Sequence, residues 1–387
     1  MPGGSFDLFF QGMGNRPGKG KRKHANAAAA EAQPSVHLGP RVKEAAAASR
    51  KEFSQAKITR ALSLRPGGDS ISQLLPLYYE VDWSDAGKLG SGHFATVYRG
   101  RNRATGQLVA MKKIKRELTR LSNLQTEVSA LRKVTGHPNI VQLYDVYYNS
   151  DSVVLVLEML GGGELFDRIC DSGAYTEWDA ANHCRKIATA LAYMHANGIV
   201  HRDLKPENLV LADRRPNSEI KISDFGLSKI LNDDEQTMKT VCGTRAYSAP
   251  EVNFGGGPRS AQYTEKVDSW SLGVILFVIL VAYHPFDPYG NGTDAAIWDR
   301  ICRGQWSFDD KAWDLVSEDA KDLIRRLLTV DPTKRPSAQE VLQHPWITEN
   351  HGGSIRSRNN LLKLQGQSLR DIGTASRPVN NMDFDVV

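Results

Sequence analysis

The sequence has few cysteines and no long hydrophobic run. Its 387 residues include 4 cysteines, none in a C-x-x-C pair, at positions 170, 184, 242 and 302. This spacing argues against a disulfide framework or a zinc site and favours free thiols in a reducing compartment. The longest apolar stretch, residues 272–283, is too short to cross the roughly 30 Å core of a bilayer as a helix. Because the stretch is apolar on all sides, we predict a helix buried in a large domain.

The sequence also lacks a secretory signal and a basic surplus in its main part. Its first residues do not combine a basic region with a long apolar run, so we do not expect secretion. The formal charge of +5 is uneven: residues 1–80 hold 12 Lys and Arg against 6 Asp and Glu, and the rest hold 37 against 38. A body without excess positive charge argues against nucleic-acid binding. We expect no nucleic-acid partner and no membrane span.

The length and the 41% hydrophobic content allow roughly two to three domains of about 150 residues each. Residues 1–77 are a basic, Ala-rich extension with a cluster of basic residues at 19–24. We expect a solvated, disordered arm there, and nuclear targeting or attachment to an acidic surface are the alternatives. We expect the protein in the cytoplasm, and the basic cluster makes the nucleus an alternative location.

Two short motifs carry the clearest chemistry, His-Arg-Asp-Leu-Lys-Pro-Glu-Asn at 201–208 and an Asp-Phe-Gly that follows it. Asp203 is a candidate proton acceptor, and Lys205 is a candidate cation. Asn208 and Asp224 offer hard oxygen ligands, which suit Mg²⁺. Phosphoryl transfer needs this combination, because its transition state spreads negative charge and is stabilised by positioning and charge neutralisation.

These motifs resemble the catalytic loop and the metal-binding motif of eukaryotic protein kinases, and the resemblance extends from about residue 89 to 346. It implies the α+β, bilobal protein kinase fold over residues 78–347. A small N-terminal lobe with an antiparallel β-sheet and one helix would cover 78–160. A larger, mainly helical C-terminal lobe would cover 161–347. Residues 348–387 would form a flexible or autoinhibitory tail.

A glycine-rich segment lies near the start of that region. Gly90, Ser91 and Gly92 stand between two short β-like runs, and glycines let the backbone approach phosphates closely. The motif alone is weak, and Ala95 replaces its third glycine. In a dinucleotide-binding unit the glycines would open a helix, whereas here they lead into another strand, as in a kinase hairpin.

The next β-like run and the helical stretch after it predict an ion pair. Strand alternation places Ala110 and Lys112 on the same face. A buried lysine needs a partner, because removing one charge of a buried pair costs about 3–5 kcal/mol. Glu127 is the candidate, on a helix over residues 123–134 that would turn Leu131 inward on the same face.

The kinase resemblance implies that ATP and Mg²⁺ bind between the lobes, with adenine between Val97 and Ala110. The implied catalytic residues are Asp203, Lys205, Asn208, Asp224, Lys112 and Glu127, of which Asn208 and Asp224 would be metal ligands. The implied nucleotide contacts are Leu89, Gly90, Ser91, Gly92, Val97, Ala110, Lys112, Glu158, Leu160, Glu164, Glu207, Val210 and Asp224. The resemblance also implies a structural pair of Glu251 with Arg335, and an anchor for the catalytic-loop backbone at Asp268.

Several motifs narrow the resemblance to Ser/Thr kinases of the calcium/calmodulin-dependent group. Lys205 follows Asp203 by two positions, where tyrosine kinases carry Ala-Ala-Arg or Arg-Ala-Ala nearby. Gly-Gly-Glu-Leu-Phe-Asp at 162–167 and Asp-Ser-Trp-Ser-Leu-Gly at 268–273 are similar to that group. The resemblance implies protein substrates with Ser or Thr acceptors.

Substrate choice and regulation follow from charges near the motifs. Glu164 and Glu207 suggest a preference for Arg three residues upstream of the acceptor, because a carboxylate can hold a guanidinium bidentately. Thr240, four residues before Thr244, matches the position of an activating phosphothreonine in related kinases. We hypothesise that phospho-Thr240 pairs with Arg202 and that an upstream kinase adds the phosphate.

The C-terminal tail contains a segment that resembles a calmodulin target. Residues 356–364 are basic and apolar, as in calmodulin targets, but the segment is short and Gly366 interrupts it, so a flexible or autoinhibitory tail is favoured over calmodulin binding. The sequence contains no EF-hand loop.

A pseudokinase scaffold, a small-molecule phosphotransferase and a nonenzymatic adaptor are the alternative functions. Loss of Lys112, Asp203, Asn208 or Asp224 would indicate a pseudokinase, and all four are present.

Overall fold

The computed structural model shows a small lobe built on an antiparallel sheet and a larger, mainly helical lobe, which confirms the predicted fold class. The residues that it describes are 70–92, 94–119, 121–172, 176–215, 218–226, 229–230, 245–253 and 264–349. Thr240, Thr244, the 19–24 basic cluster and the 348–387 tail beyond Glu349 lie outside the described residues.

The described strands are β1 Tyr79–Val81, β2 Lys88–Ser91, β3 Ala95–Asn102, β4 Leu108–Lys115, β5 Leu143–Tyr148, β6 Ser152–Glu158, β7 Ile199–Val200, β8 Leu209–Leu211, β9 Ile220–Ile222 and β10 Lys229–Ile230. The described helices are α1 Ser70–Gln73, α2 Leu75–Tyr78, α3 Leu121–Val134, α4 Leu165–Ser172, α5 Glu177–Ala196, α6 Lys266–Val281, α7 Asp294–Arg303, α8 Glu318–Leu327, α9 Ala338–Val341 and α10 Pro345–Thr348.

The main sheet has the strand order β1-β3-β4-β6-β5, and β2 also pairs with β3. All of its pairings are antiparallel. Alternation along β4 sends Val109 and Met111 to a hydrophobic cluster on the outer face and Ala110 and Ile114 to the main core on the inner face. The prediction that Ala110 and Lys112 share a face is therefore confirmed, since Lys112 also points inward to α3.

Two one-turn helices at the start of the described chain pack on the outer face of this sheet. Leu75 of α2 is 2% exposed and belongs to the outer cluster with Tyr79 and Tyr147. The side chain of Arg103 also donates to the Pro76 carbonyl at 2.8 Å. The sequence placed the start of the folded domain at residue 78, whereas the packed region already includes Leu75, because the outer face would otherwise leave its aromatic side chains uncovered.

Helix α3 lies against the inner face and carries Glu127. It begins two residues before the predicted stretch and ends at the predicted Val134. Leu131 is 2% exposed, and Glu127 is 6% exposed. Both side chains therefore point inward, as their spacing of four residues predicts.

The larger lobe is organised around α6, the apolar stretch that the sequence predicted to be a buried helix. Every residue from Val267 to Val281 is buried, which confirms that prediction. Helix α5 packs against it and begins at a capping box between Thr176 and Asp179. Among the described helices, none combines the length and the apolar character needed to span a membrane.

Candidate active site

The catalytic-loop motif lies between two short strand pairs, β7 with β10 and β8 with β9. His201 is fully buried, and its Nε2 is 3.0 Å from the Ser223 carbonyl oxygen. Its ring also meets Phe225 edge-on, with 5.4 Å between ring centres. The loop at 201–208 is thereby joined to the Asp-Phe-Gly segment, although 22 residues separate His201 from Ser223.

Asp268, at the start of α6, fixes the backbone of the loop. Its Oδ1 accepts from the Arg202 amide at 2.8 Å, and its Oδ2 accepts from the His201 amide at 2.9 Å. Oδ2 also lies 2.8 Å from Nε2 of His195. Burial alone would raise the pKa of Asp268, but these hydrogen bonds and the histidines outweigh it and lower the pKa. The anchor predicted at Asp268 is confirmed.

The anchor holds an uncommon backbone conformation directly before Asp203. Arg202 has φ of 72°, in the left-handed region that non-glycine residues rarely adopt. Such a conformation costs about 1–3 kcal/mol and persists only where surrounding contacts determine it. The bond from the Arg202 amide to Asp268 is such a contact, so α6 directs Asp203 toward the cleft.

Asp203, Lys205 and Asn208 lie together. Asn208 Nδ2 donates to the Asp203 carbonyl at 2.7 Å, and Lys205 Nζ lies 3.4 Å from Asp203 Oδ2. Burial raises the pKa of Asp203, partly offset by Lys205. Burial would lower the pKa of Lys205, but the combined attraction of Asp203, Glu207 and Asp224 outweighs it and raises the pKa. The structure thus brings a carboxylate of raised basicity next to a cation that stays charged.

Lys112 joins the two lobes. Its Nζ lies 2.8 Å from Glu127 Oε1 and 3.0 Å from Asp224 Oδ1, which confirms the predicted pair with Glu127. Burial opposes the charge on Lys112, but the attraction of Asp224 and then of Glu127 outweighs it and raises the lysine pKa. The attraction of Lys112 in turn lowers the pKa of Asp224 to about 2. Lys112 and Asp224 are therefore both ionised at neutral pH.

Asp224 is held in its own uncommon conformation, with φ of 55°. Its Oδ1 accepts from the Gly226 amide at 3.3 Å. A Cβ at Gly226 would lie 3.3 Å from that same oxygen, a tight contact that glycine avoids. The Asp224 side chain keeps 32% of its surface exposed, so one side of the carboxylate is open to the cleft.

The donor set of Asn208 and Asp224 fits a divalent cation that prefers oxygen ligands. Asn208 is 5% exposed, and its Nδ2 is occupied by the Asp203 carbonyl. Its amide oxygen is therefore the atom left for a cation, and Asp224 supplies the negative charge. Carboxylate and amide oxygens are ligands typical of Mg²⁺ sites that also use substrate phosphates.

The side chains expected around adenine all belong to the main hydrophobic core. Val97, Ala110, Leu160 and Val210 are each at most 6% exposed and belong to the same hydrophobic cluster, and Leu89 packs against it. They come from β2, β3, β4 and β8 and from the segment between the lobes. Their roles toward a nucleotide stay predictions.

The glycine-rich segment forms a hairpin, as predicted. Gly90 pairs with Val97 and Ser91 with Thr96 across β2 and β3, and the Gly92 amide donates to the Ala95 carbonyl at 2.8 Å. The glycines thus lead from a strand into a strand and not into a helix.

The segment between the lobes is fixed by an ion pair that sequence reasoning missed. Lys221 of β9 lies 2.9 Å from the Glu158 carboxylate, which also accepts from the Gln142 amide at 3.2 Å. The amides of Gly161 and Gly162 then donate to carbonyls that follow β8 or end it. No local sequence pattern could have identified Lys221 as the partner of Glu158, since 63 residues separate the two.

The two glutamates predicted to select substrates lie on the larger lobe. Glu164 forms an isolated antiparallel bridge with Val210. Glu207 belongs to the turn Pro206–Asn208 that follows Lys205. Glu207 is close enough to Lys205 for its charge to raise the lysine pKa, and Glu164 is joined to the strand β8 that follows the catalytic loop.

The predicted structural pair in the larger lobe is confirmed. Arg335 donates to both carboxylate oxygens of Glu251, at 2.6 and 3.1 Å. The guanidinium is fully buried, donates to three backbone carbonyls as well, and lies over the Trp270 ring at 5.0 Å. It fixes the segment after Ala249 to the core and does not reach the catalytic loop.

The fold and this site define the class of protein: residues 83–347 match the family model described as "Protein kinase domain", and the chain belongs to that family. It is 41% identical over 288 residues to human "Calcium/calmodulin-dependent protein kinase type IV", covering 74% of this chain and 58% of that protein. It is 43% identical over 270 residues to "Myosin light chain kinase A" of Dictyostelium discoideum, covering 69% of this chain and 88% of that protein.

A third relative is "Calcium/calmodulin-dependent protein kinase type 1" of Caenorhabditis elegans, 43% identical over 265 residues, or 68% of this chain and 73% of that protein. The chain spans 58% of the length of the type IV relatives from human, rat and mouse. The predicted resemblance to the calcium/calmodulin-dependent group is confirmed.

Proposed function

We propose that this chain is a Ser/Thr protein kinase that transfers the γ-phosphate of ATP to protein hydroxyl groups. The observation that carries the proposal is Lys112, which contacts Glu127 at 2.8 Å and Asp224 at 3.0 Å. Asp224 is close enough to raise the pKa of Asp203 slightly through its charge. A phosphate-binding cation, a metal-binding carboxylate and a base therefore surround one cleft.

Each group has a separate task in this proposal. Asp203 orients the acceptor hydroxyl and takes up its proton, for which burial has raised its basicity. Lys205 stabilises the charge on the phosphoryl oxygens. Lys112 binds the first two phosphates of the nucleotide, and Asn208 and Asp224 would hold Mg²⁺, which neutralises phosphate charge when bound.

The test compares two variants with a neighbouring lysine as control. With radiolabelled ATP, Mg²⁺ and a basic Ser/Thr peptide, Lys112→Met and Asp203→Asn should each lose at least about a hundredfold in kcat, because positioning and proton transfer each contribute on that order. Lys113→Met changes a residue on the opposite face of β4, near the Trp83 ring, and should retain activity.

The outcomes separate the alternatives. If the protein were a pseudokinase, the wild type itself would label no peptide. If the protein were a nonenzymatic adaptor, neither Lys112→Met nor Asp203→Asn would change its activity. Labelling of small hydroxyl compounds in preference to the peptide would indicate a small-molecule phosphotransferase.

We further propose a basophilic substrate preference. In this proposal, Glu164, which bridges to Val210 of β8, and Glu207, whose charge acts on Lys205, supply carboxylates for an arginine three residues upstream of the acceptor. Since hydrogen bonds to charged groups contribute about 1.5–3 kcal/mol, replacing that arginine by alanine should raise the peptide KM about tenfold or more. Glu164→Gln and Glu207→Gln should reduce this difference between the two peptides. Equal KM values for both peptides with the wild type would refute the preference.

Activation by phosphorylation at Thr240 is proposed on sequence grounds. A phosphate adds about −1.5 to −2 charges and can order a loop against arginine, and Arg202 lies next to Asp203. The proposal predicts that Thr240→Ala abolishes stimulation by an upstream kinase. Stimulation of that variant to the wild-type level would reject it.

The tail is proposed to be a flexible or autoinhibitory segment, and calmodulin binding is the alternative raised by the relatives' names and by the basic residues at 356–364. Truncation after Glu349 should raise basal activity if the tail inhibits. Activation of the full chain, but not of the truncated chain, by Ca²⁺-calmodulin would establish the alternative.

A further inference from the structure

A hydrogen bond joins the two ends of the main sheet. The Tyr79 hydroxyl donates to Asp145 Oδ2 at 2.7 Å, and the rings of Tyr79 and Tyr147 meet edge-on with 6.1 Å between ring centres. Tyr79 lies in β1 and Asp145 in β5, the first and last strands of the order β1-β3-β4-β6-β5. In a flat sheet, strands spaced about 4.8 Å apart would leave β1 and β5 about 19 Å from each other. The sheet must therefore curl toward its outer face for this bond to form.

A β-bulge directs Asp145 toward that face. Leu143 pairs with Leu157, whereas Asp145 pairs with Val156, so β5 contains one extra residue at this point. Leu143 and Leu157 belong to the main core on the inner face, and Val156 belongs to the outer cluster. Residues two positions apart on a regular strand share a face, and the bulge places Leu143 and Asp145 on opposite faces. The carboxylate thus reaches Tyr79 because the strand departs locally from regular geometry.

The surroundings of the bond keep its donor protonated and connect its acceptor to helix α3. Tyr79 is 4% exposed, and burial and then the charge of Asp145 raise its pKa, so the hydroxyl stays protonated at neutral pH. The charge of Asp145 also acts on Arg132 in the last turn of α3, where it offsets part of the lowering of the arginine pKa by burial. Nη1 of Arg132 is buried and makes no hydrogen bond to the part of the chain that the structure describes. Asp145 therefore acts both on β1 and on the helix that carries Glu127.

Lys112 lies on the strand in the middle of this curl. Strand β4 is the third of the five strands in that order, and Lys112 stands opposite Val97 of β3 and Leu155 of β6. The curl determines how β4 is placed relative to its neighbours on both sides. A change in curl would therefore move Nζ of Lys112 relative to α3 and to the glycine-rich hairpin.

We propose that Tyr79 is a positioning residue for ATP. The inference rests on the proposed kinase function, in which Lys112 binds the first two phosphates of the nucleotide. By joining β1 to β5, the Tyr79 hydroxyl fixes the curl of the sheet, and the curl places Lys112 and the glycine-rich hairpin for nucleotide binding. Tyr79 acts through the sheet and not by contact, because it lies on the outer face and Lys112 points inward.

Tyr147 offers a matched control in the same cluster. It is 5% exposed, and burial and then the charge of Asp145 raise its pKa, but no hydrogen bond joins its hydroxyl to that carboxylate. Tyr79→Phe and Tyr147→Phe thus remove the same atom from the same cluster, and the first alone breaks the bond between β1 and β5. Asp145→Asn keeps an acceptor oxygen for Tyr79, whereas Asp145→Val removes it.

Calorimetry with Mg²⁺ and a nonhydrolysable ATP analogue, together with steady-state kinetics, tests the assignment. A hydrogen bond to a charged group changes an equilibrium constant about tenfold or more, and part of that effect should reach the nucleotide. Tyr79→Phe should therefore raise the Kd for the analogue and the KM for ATP about fivefold and leave the peptide KM unchanged. Tyr147→Phe should match the wild type. Asp145→Asn should retain most of the affinity, and Asp145→Val should lose at least as much as Tyr79→Phe.

Thermal unfolding separates positioning from a purely structural role. A lower Tm for Tyr79→Phe with an unchanged Kd would show that the bond stabilises the small lobe without placing the nucleotide, and would overturn the inference. Equal Kd values for Tyr79→Phe and Tyr147→Phe would overturn it as well. If Tyr79→Phe does not fold, the comparison of Asp145→Asn with the wild type and Asp145→Val decides in the same way. A wild type that labels no peptide would refute the proposed kinase function, whereas the calorimetric comparison would still decide the role of Tyr79.

Discussion

Asp268→Asn is the substitution for which the structure gives the sharpest expectation. The fully buried carboxylate accepts from the His201 amide at 2.9 Å, from the Arg202 amide at 2.8 Å and has His195 Nε2 at 2.8 Å. An asparagine has nearly the same shape but can accept at only one of the two oxygen positions. In either orientation its NH₂ group faces at least one N–H donor.

The magnitude follows from counting these bonds. The better orientation keeps the oxygen at the Oδ2 position, which serves two donors, and leaves the Arg202 amide without an acceptor. A buried unsatisfied donor costs about 1–3 kcal/mol, and the two remaining bonds weaken because a charged acceptor becomes neutral. We expect a loss of about 3–5 kcal/mol in the free energy of unfolding, comparable with breaking a buried ion pair.

Urea or thermal unfolding measures this loss, which corresponds to a fall in Tm of about 6–20 °C for a domain of this size. The value of kcat should fall as well, because Arg202 is held in its left-handed conformation directly before Asp203. Asp322→Asn is the control, since Asp322 also receives a histidine, His344 at 3.1 Å, but is 41% exposed. It should cost less than about 1 kcal/mol.

The pH dependence has a defined sign. The fold lowers the pKa of Asp268, so its contribution is complete above the unfolded value of about 3.9 and is lost as the pH falls through the folded value. The difference between wild type and Asp268→Asn should therefore shrink in acid. An Asp268→Asn protein as stable as Asp322→Asn at pH 7 would refute the reasoning about the anchor.

Three further expectations concern the other ionic contacts. Glu127→Gln leaves Lys112 with one of its two carboxylates. We expect the free energy of unfolding to fall by about 3 kcal/mol, near the lower end of the range for buried pairs. The KM for ATP should also rise in steady-state kinetics. Arg335→Lys cannot reproduce the two bonds to Glu251 at 2.6 and 3.1 Å, so unfolding should cost about 1–3 kcal/mol less, with no change in the KM for ATP. Lys112 lowers the pKa of Asp224 to about 2. The stability that Asp224 contributes is therefore complete above a pH of about 3.9 and is lost as the pH falls toward about 2. Denaturant titrations across this pH range should show a larger loss of unfolding free energy for the wild type than for Lys112→Met.

Each of these expectations has an outcome that contradicts it. An unchanged KM for ATP in Glu127→Gln would mean that Asp224 alone positions Lys112. An unchanged free energy of unfolding in Arg335→Lys would show that the two bonds to Glu251 do not stabilise the fold. Parallel acid titrations of wild type and Lys112→Met would show that Lys112 does not determine the pKa of Asp224.

The sequence was sufficient where a short segment contains its own physical requirement. Lys112 on a strand that must be buried requires an opposite charge, and Glu127 is the acidic residue whose helical spacing turns it inward with Leu131. The helix around residue 272 could be predicted because a stretch apolar on all sides is stable only when it is surrounded by protein. Both expectations are confirmed by the structure.

The sequence was insufficient where a contact depends on the position of distant segments. The ion pair of Lys221 with Glu158 joins residues 63 apart, and the contact of His195 with Asp268 joins residues 73 apart. No local pattern identifies such partners, because each side chain is compatible with a solvated surface position. The start of the packed region was also misplaced, since α2 is a single turn whose burial depends on the sheet beneath it.

The packing of α2 has a practical consequence for the preparation of shortened proteins. A fragment that started at residue 83, where the family match begins, would lose Leu75 and the whole of β1. Strand β3 would then present unpaired backbone groups along Gly100–Asn102, the partners of β1, and an open strand edge promotes aggregation. Expression of the catalytic region for crystallisation should therefore begin at or before Ser70.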